Sequence, residues 1–424
     1  MMMLQKSDTN NAIITQLSNV RKHPNADRLK LATVLGTQVI VGLDAKDGDI
    51  VVYFDSNLRL SPEYLHWNNL YSNKEMNRDI FQKGYFGKNG RVRAQKFRGE
   101  LSNGFVMPVK TLGFIPEVMK NFPALEVGDE FTHINGVMIC EKYVIQETPP
   151  PRSGHYKKWT IPTHMFHQHW DTKQLMREKD SIPSESVLYV EEKIHGTSAR
   201  TCYALCSTGK RWWQFWKPRH EWKVVSGTRR MDHIGNHIPL VRREIEQKVA
   251  PHLHKGEQIY YEIYGFDSGE QIYYEIYGFD SEGGKPIQTG FTYGCSPRQY
   301  KAMLYRVTIT TPDGYCIDLD REQVYKRAEE LGLEKPTLLS KVFYTGPGIA
   351  DIPGVIEPYS QLNSLVKLCE GKFALDANTM REGIVIWFKN IYGNWHCLKH
   401  KSEEFLIKES ELRDQEIGDV EDNL

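Results

Sequence analysis

The chain has 424 residues, more than one hydrophobic core usually organises, so two or three domains are expected. Hydrophobic residues at 40%, charged residues at 25% and aromatics at 11% form a folded-protein profile that excludes wholesale disorder. Lys and Arg (54) balance Asp and Glu (54), which argues against a protein that coats nucleic acid through global charge. The opening stretch, Met1 to Asn11, is polar and carries no hydrophobic run of leader type. No stretch of about eighteen apolar residues predicts a membrane span. Seven scattered cysteines without a C-x-x-C pair argue against a disulfide framework or a zinc ribbon, and a reducing, cytoplasmic setting is expected.

Residues 1–147 read as short strands. Ala12 to Leu17, Leu29 to Val34, Gln38 to Val41 and Asp49 to Phe54 are β-rich runs, parted by turn residues such as Lys46-Asp47-Gly48-Asp49. That pattern predicts a small closed or sandwich-like β-domain. Thr148 to Gly154, three prolines followed by Arg-Ser-Gly, has the make-up of a linker, taken as 148–158. Residues 159–424 turn mixed, which makes the fold class α+β. Strands are predicted at Val187 to Glu192, Trp222 to Ser226, Gln271 to Ile276, Gly383 to Phe388 and His396 to Lys401. Helices are predicted at Leu240 to Val249 and at Arg321 to Leu331, the second with Gly332 as its C-cap. Ser402 to Leu424 holds nine acidic residues against Lys408 and Arg413 and reads as a solvated helix and tail.

Gly256 to Ser268 reads GEQIYYEIYGFDS, and Gly269 to Ser281 repeats it letter for letter. Two copies of so short a segment do not make a stacked repeat. Both cannot fill one central strand, so one is expected to be displaced into a loop or an added hairpin.

The densest chemistry lies in Val190 to Ser198, VEEKIHGTS. A strand delivers Lys193, and Gly196 lets the backbone come close to a ligand. A lysine beside other cations has a lowered pKa and can act as a nucleophile. Downstream, Ser226-Gly227-Thr228-Arg229 can present a guanidinium to phosphate or ribose. Tyr274-Glu275-Ile276-Tyr277-Gly278 sets a carboxylate between aromatics, suited to a ribose hydroxyl or a metal. Lys301 to Ile309 carries Tyr305, which could stack on a base. Arg381-Glu382-Gly383 puts a carboxylate at the mouth of an apolar strand, where an uncompensated charge is costly. Lys399 and Lys401, two apart, share a strand face.

This ordered series resembles the covalent nucleotidyltransferase superfamily of ATP-dependent ligases and capping enzymes, in the motif order I, Ia, III, IIIa, IV and V. The form of EKIHGTS and of LKHKS is most similar to the RNA ligase 2-like branch. A second resemblance lies earlier. Val20 to Leu29 (VRKHPNADRL) is similar to the entry of tRNA-binding OB modules, and Arg91 to Gly99 with Ser102 to Phe105 matches RNA ligases that carry an N-terminal OB domain. Arg78 to Lys110 holds eight basic against two acidic residues, net +6, alongside Tyr85, Phe86 and Phe97. A basic groove with aromatics is how OB folds track a single strand; the alternative is a loop with a solvated basic face.

The resemblance implies an N-terminal OB-like β-barrel, then a mixed α/β nucleotidyltransferase (ATP-grasp-like ligase) domain over 159–424. It implies an RNA ligase that joins 3′-hydroxyl and 5′-phosphate ends through lysyl-AMP, with ATP, Mg²⁺ or Mn²⁺, RNA as partner, no membrane and a monomeric chain. Lys193 would be the nucleophile, with Glu192, Ile194, Gly196, Arg229 and Tyr305 around the nucleotide. Lys399 and Lys401 would hold the α-phosphate, and Glu275 and Glu382 the metal. Arg91, Arg93, Lys96 and Arg98 would contact nucleic acid. The duplication leaves Glu262 in competition with Glu275. Glu275 is preferred because its continuation, Ser281 to Cys295, runs uninterrupted into family-like sequence.

Other readings stay open at this point. A polynucleotide ligase preferring nicked duplexes, or a capping enzyme, shares the motifs, although capping enzymes normally carry the OB domain after the catalytic one. A noncatalytic RNA-binding protein is the alternative of another class, against which the intact Lys193, Glu382, Lys399 and Lys401 count. Lys210 to Lys223 (KRWWQFWKPRHEWK) suggests either an RNA-stacking hairpin or one whose tryptophans pack on the domain. His164, His167 and His169 lack the Cys or carboxylate spacing of a metal site. Arg200 to Arg230 has eight basic residues against Glu221, net +7, so the balanced total conceals two basic stretches.

Overall fold

The computed structural model describes residues 3–7, 10–116, 118, 125–144, 164–208, 210, 212–229, 232–233, 240–265, 286–297, 299–347 and 360–415. It divides into two compact units, 1–145 with 403–416 and 146–402 with 417–424. Among the described residues no helix is long and apolar enough to cross a membrane.

The first unit is built from antiparallel strands. Ser18–Lys22, Leu29–Val34 and Thr37–Gly42 form a meander, and Phe105–Pro108, Ile50–Phe54, Ala12–Gln16 and Glu130–Phe131 form a four-stranded sheet. Alternate residues of these strands share one interior: Ile13, Leu17, Ala32, Val34, Val39, Val41, Val51 and Tyr53 are all buried together. The period-2 pattern that predicted the strands is thus the pattern that fills the core. The opposite face of the four-stranded sheet, with Ile14, Val52 and Phe54, packs on a second core around Leu58, Tyr64, Phe86 and Leu112. Two segments singled out in the sequence meet here. His23 Nε2 lies 3.1 Å from the Phe97 carbonyl oxygen, and Asn25 Nδ2 donates to the Arg98 carbonyl at 2.9 Å.

The C-terminal helix α3 (Glu403–Asp414) belongs to this first unit, and it is not a solvated helix. Phe405, Leu406, Glu409, Ser410 and Arg413 are buried, and Arg413 donates to Asn57 at 3.1 Å.

The second unit holds two sheets. One contains β1 (Ser186–Lys193), β6 (Leu338–Tyr344), β7 (Gly383–Lys389) and β8 (Trp395–Lys401), antiparallel in the order β8-β7-β1-β6. The other contains β2 (Thr197–Ser207), β3 (His220–Thr228), β4 (Glu257–Gly265) and β5 (Tyr300–Thr310) in the order β3-β2-β4-β5. Helices α1 (Leu240–Val249) and α2 (Arg321–Leu331) cover the back of the second sheet, where Val241, Ile245, Val324, Ala328 and Leu331 pack on Ile259, Tyr261, Ile263 and Leu304. Helix α2 starts and stops as its sequence dictates. Asp320 and Gln323 close a capping box, and Gly332 ends it in the left-handed region at φ 63°. Apolar residues at 324, 328 and 331 fall on one face.

The front faces of the two sheets meet at Tyr189, Trp387, Trp395, Cys397, Trp170 and Tyr305. A buried ion pair ties them: Arg321, 1% exposed, donates to both Glu191 oxygens at 2.8 and 2.7 Å. Removing one partner of such a pair costs roughly 3–5 kcal/mol, because the other charge is left buried alone.

The duplicated segment resolves in favour of its first copy. Strand β4 is Glu257–Gly265, paired with both β2 and β5. The segment that precedes it leads straight into the strand. Leu253 is already buried in the core under α1, and the Gly256 N–H donates to the Tyr203 carbonyl at 2.8 Å, so the chain enters the strand directly. A Cβ at Gly256 would lie 2.2 Å from the Thr310 carbonyl oxygen, so glycine is required at that entry. The predicted strand Gln271 to Ile276, and Glu275 with it, lies outside the described residues.

Candidate active site

Strand β1 ends at Lys193, and the pairing Lys193–Gly383–Lys401 runs straight across β7 and β8. Side chains alternate along each strand, so Lys193, Lys399 and Lys401 share the face turned to the other sheet. The expectation that two lysines two residues apart share a face holds. Lys193 Nζ donates to Glu382 Oε2 at 2.8 Å, and Lys401 Nζ lies 3.9 Å from Glu382 Oε1. Glu382 is 1% exposed, a buried carboxylate stabilised by the cations beside it. Lys399 is pushed down to about 8, first by removal from water and then by the charges of Lys193, Lys401 and Arg229. Four cations therefore converge on one space, with one buried carboxylate among them.

The second sheet supplies the facing wall. The Gly196 N–H donates to Glu262 Oε1 at 3.0 Å, and Ser198 Oγ donates to Glu262 Oε2 at 2.9 Å. Gln288 Nε2 donates to the Gly196 carbonyl at 2.8 Å. A Cβ at Gly196 would stand 2.2 Å from the Ile263 carbonyl oxygen, so this glycine serves the approach of the chain to β4.

Tyr293 was not singled out in the sequence. Its hydroxyl accepts the His195 N–H at 2.7 Å, and its pKa is raised well above the usual tyrosine range by burial and by the nearby Glu382 and Glu262 carboxylates. Both carboxylates therefore look onto the same buried phenol. Tyr293 rests edge-on against Phe373 at 4.9 Å and beside Tyr264, which makes an aromatic floor under the turn after Lys193. Its backbone takes φ 51°, uncommon for a large side chain, and nothing in the local sequence announces that.

Arg229, at the end of β3, pairs with Asp171. The stretch 164–172 packs on the second sheet, with Met165 and Phe166 against Cys202, Ala204 and Cys206. His169 lies 2.9 Å from the Tyr305 hydroxyl, and Arg306 stacks 3.6 Å from the Trp170 ring centroid. Tyr305 is the extra residue of a β-bulge, since Tyr260 pairs with Arg306 and Tyr261 with Leu304. The three histidines go to three different partners: His164 to the Pro312 carbonyl, His167 to Thr310 and His169 to Tyr305.

Several expected residues do not join the groove. Glu192, one residue from Lys193, turns to the other face, where it accepts from Arg381 Nε at 2.7 Å and from the Ala374 N–H. Period-2 alternation forces that separation. Ile194 is buried, 5% exposed, and only its carbonyl oxygen reaches Lys193 Nζ, at 3.3 Å. In the first unit, Arg91 is 2% exposed and donates to Asp414 at 2.6 Å and to the Ser410 carbonyl at 2.9 Å. Arg93 also donates to Asp414, at 3.0 Å. Both arginines hold helix α3; Arg91 is enclosed there and does not face solvent, whereas the Arg93 side chain stays 32% exposed. Lys96 and Arg98 are exposed.

For a divalent cation, Glu382 and Glu262 are the carboxylates of this space. Among the described residues no group of three or more His, Cys, Asp or Glu side chains is arranged to hold a metal by itself. Two carboxylates fit a hard cation that takes its remaining oxygens from phosphates and water.

A family model described as an OB-fold domain matches residues 11–109. No curated protein matches the chain. Among solved structures, the Naegleria gruberi RNA ligase with PPi is 18% identical, with TM-score 0.57, over 94% of this chain and 98% of that one. An apo variant of the same ligase gives TM-score 0.58 at 16% identity over 95% and 99% of the two chains. A variant with ATP and Mn gives TM-score 0.55 at 16% identity over 95% and 99%. The likeness shows the fold: an N-terminal OB-fold domain followed by a mixed α/β ligase-like domain.

Proposed function

We propose that this chain is an ATP-dependent RNA ligase. The observation that carries the reading is the convergence of Lys193, Lys399, Lys401 and Arg229 around Glu382, opposite Glu262, in a chain whose fold matches an RNA ligase over nearly its whole length. Phosphoryl transfer needs positioning and charge neutralisation more than acid–base chemistry, and a cluster of fixed cations is suited to that work.

In this reading the Lys193 amine attacks the α-phosphorus of ATP, forming a P–N bond as pyrophosphate leaves. An oxygen of an RNA 5′-phosphate then attacks the same phosphorus, and the Lys193 amine leaves. A 3′-hydroxyl finally attacks the RNA 5′-phosphate, and AMP leaves as the phosphodiester forms. Lys399 and Lys401 meet the charge on the α-phosphate, and Arg229 is close enough to them to share it. The Glu382 pair holds the Lys193 amine in place at the end of its strand. Glu382 and Glu262 would hold Mg²⁺ or Mn²⁺, which supplies charge neutralisation at the phosphates. Glu262 takes the role first given to Glu275, because it is the copy hydrogen-bonded to Gly196 and Ser198.

The test is incubation of the full chain with α-labelled ATP or GTP and a divalent metal. Label is expected on the protein from ATP. Transfer from GTP alone would favour a capping enzyme, and no transfer from either would sink the ligase reading.

A further inference from the structure

The long hairpin between β2 and β3 carries an aromatic cluster that the groove does not use. Trp212 is 81% exposed, Phe215 78% and Trp216 75%, against a sequence tendency to bury such rings. The base of the hairpin is tied down. Thr208 Oγ1 donates to the Pro218 carbonyl at 2.6 Å, and Trp222 packs beside Tyr203 at 5.7 Å with Lys255 over its ring. Of the two readings of this stretch, packing on the domain holds for Trp222. The tip instead presents its rings to solvent.

Cations flank those rings on both sides. Lys210 Nζ lies 3.4 Å from the Phe215 carbonyl oxygen, Lys217 directly follows Trp216, and Arg219 is exposed two residues on. Glu221 is the single acidic residue of Lys210 to Lys223, and it lies 3.3 Å from Lys223. A lipid surface selects for rings on one face and charges on the other. Rings and flanking cations on one loop instead match a single-stranded nucleic acid, which offers bases to stack on the rings and phosphates to the cations beside them.

We propose that this hairpin tip is a second contact for single-stranded RNA, in which Trp212, Phe215 and Trp216 stack on bases and Lys210, Lys217 and Arg219 meet the intervening phosphates. The proposal rests on the ligase reading for the identity of the strand as RNA. Its position follows from the sheet. Ser198, at the groove, and Ser207, at the hairpin base, are the two ends of the same strand, about 30 Å apart at a strand rise of about 3.3 Å per residue. A stacked single strand rises about 3.4 Å per nucleotide, so the hairpin base stands about nine nucleotides from the groove and the tip engages RNA beyond that. Short oligonucleotides reach the groove but not the tip.

The test compares the full chain with Trp212→Ala/Trp216→Ala and with Trp212→Phe/Trp216→Phe. Binding of labelled single-stranded RNAs of about 5 and about 20 nucleotides is measured by anisotropy, with lysyl-AMP formation, which takes no RNA, as the control for folding. The alanine pair is expected to weaken the long RNA about tenfold or more and the short one little, with the phenylalanine pair close to the parent. Equal affinity of parent and alanine pair for the long RNA would overturn the proposal. So would loss in the alanine pair of binding to anionic phosphatidylserine vesicles, or of a dimer in light scattering, with RNA affinity unchanged. Absence of lysyl-AMP in the parent, with Trp-dependent RNA binding retained, would sink the ligase reading and leave the hairpin proposal standing.

Discussion

Lys193 Nζ donates to Glu382 Oε2 at 2.8 Å, and the lysine is partly open while the carboxylate is fully enclosed. A buried carboxylate that holds a lysine at the end of a strand fixes where the amine points. It also balances a space into which Lys399, Lys401 and Arg229 bring further charge. Replacing Glu382 by Ala removes that anchor and leaves like charges facing one another. Adduct formation from ATP is expected to fall on the order of a hundredfold or more, measured as label on the protein at fixed time. A variant that labels at the parent rate would show that the pairing has no part in the first step.

The duplicated segment gives a direct comparison of two identical glutamates. Glu262 sits in β4 and accepts from Gly196 and Ser198. Glu262→Ala therefore leaves a backbone N–H without its acceptor beside the nucleophile, a loss worth about 1–3 kcal/mol, as well as removing a carboxylate from the groove. Adduct formation is expected to collapse in Glu262→Ala and to persist in Glu275→Ala. The reverse result would mean that the second copy occupies the strand in the working protein.

Lys399 makes pH a probe of the site. Its folded value is lowered to about 8 from 10.5, by burial first and neighbouring cations second. The unfolded chain keeps this proton between about 8 and 10.5 while the folded chain has released it, so stability from this group rises with pH across that window and is lost as pH falls through about 8. Phosphate binding runs the other way, since it needs the charged lysine. The apparent affinity for ATP is expected to weaken as pH rises through about 8, and Lys399→Arg, which stays charged, is expected to flatten that step. An identical pH profile in the arginine variant would remove Lys399 from phosphate binding.

In the OB-fold unit, the basic residues separate by burial. Arg91→Ala strips two hydrogen bonds from the contact with α3 and is expected to lower the melting temperature of the first unit, with RNA affinity little changed. Lys96→Ala and Arg98→Ala are expected to do the opposite, each reducing the slope of log affinity against log salt by about one. Salt titrations of RNA binding alongside thermal melts distinguish the two groups.

Much of the fold was legible because it is local. Helices 240–249 and 321–331 have the predicted bounds, and the second carries its cap signals at both ends. The strands of the first unit follow the alternation of Ile13, Val39, Val41 and Val51 into one interior. What was missed is long-range. Arg91 and Asp414 are 323 residues apart, and nothing near either announces the other. Helix 403–414 buries Glu409, Ser410 and Arg413 along with Phe405, so its acidic composition read as solvation. The two copies of the repeat are identical, and only what precedes the first, Leu253 packed under the helix 240–249, sets them apart. Glu192 is the exception, because the alternation that sends it away from Lys193 was in the sequence to be read.

In the proposed reaction Lys193 is the residue that takes the adenylate. The most direct measurement is transfer of label from α-labelled ATP to the intact chain, followed by peptide mapping of the adduct and repeated with Lys193→Ala. Label confined to the peptide containing Lys193, and absent from the alanine variant, is the predicted result. Label on another residue, or undiminished label in Lys193→Ala, would contradict it.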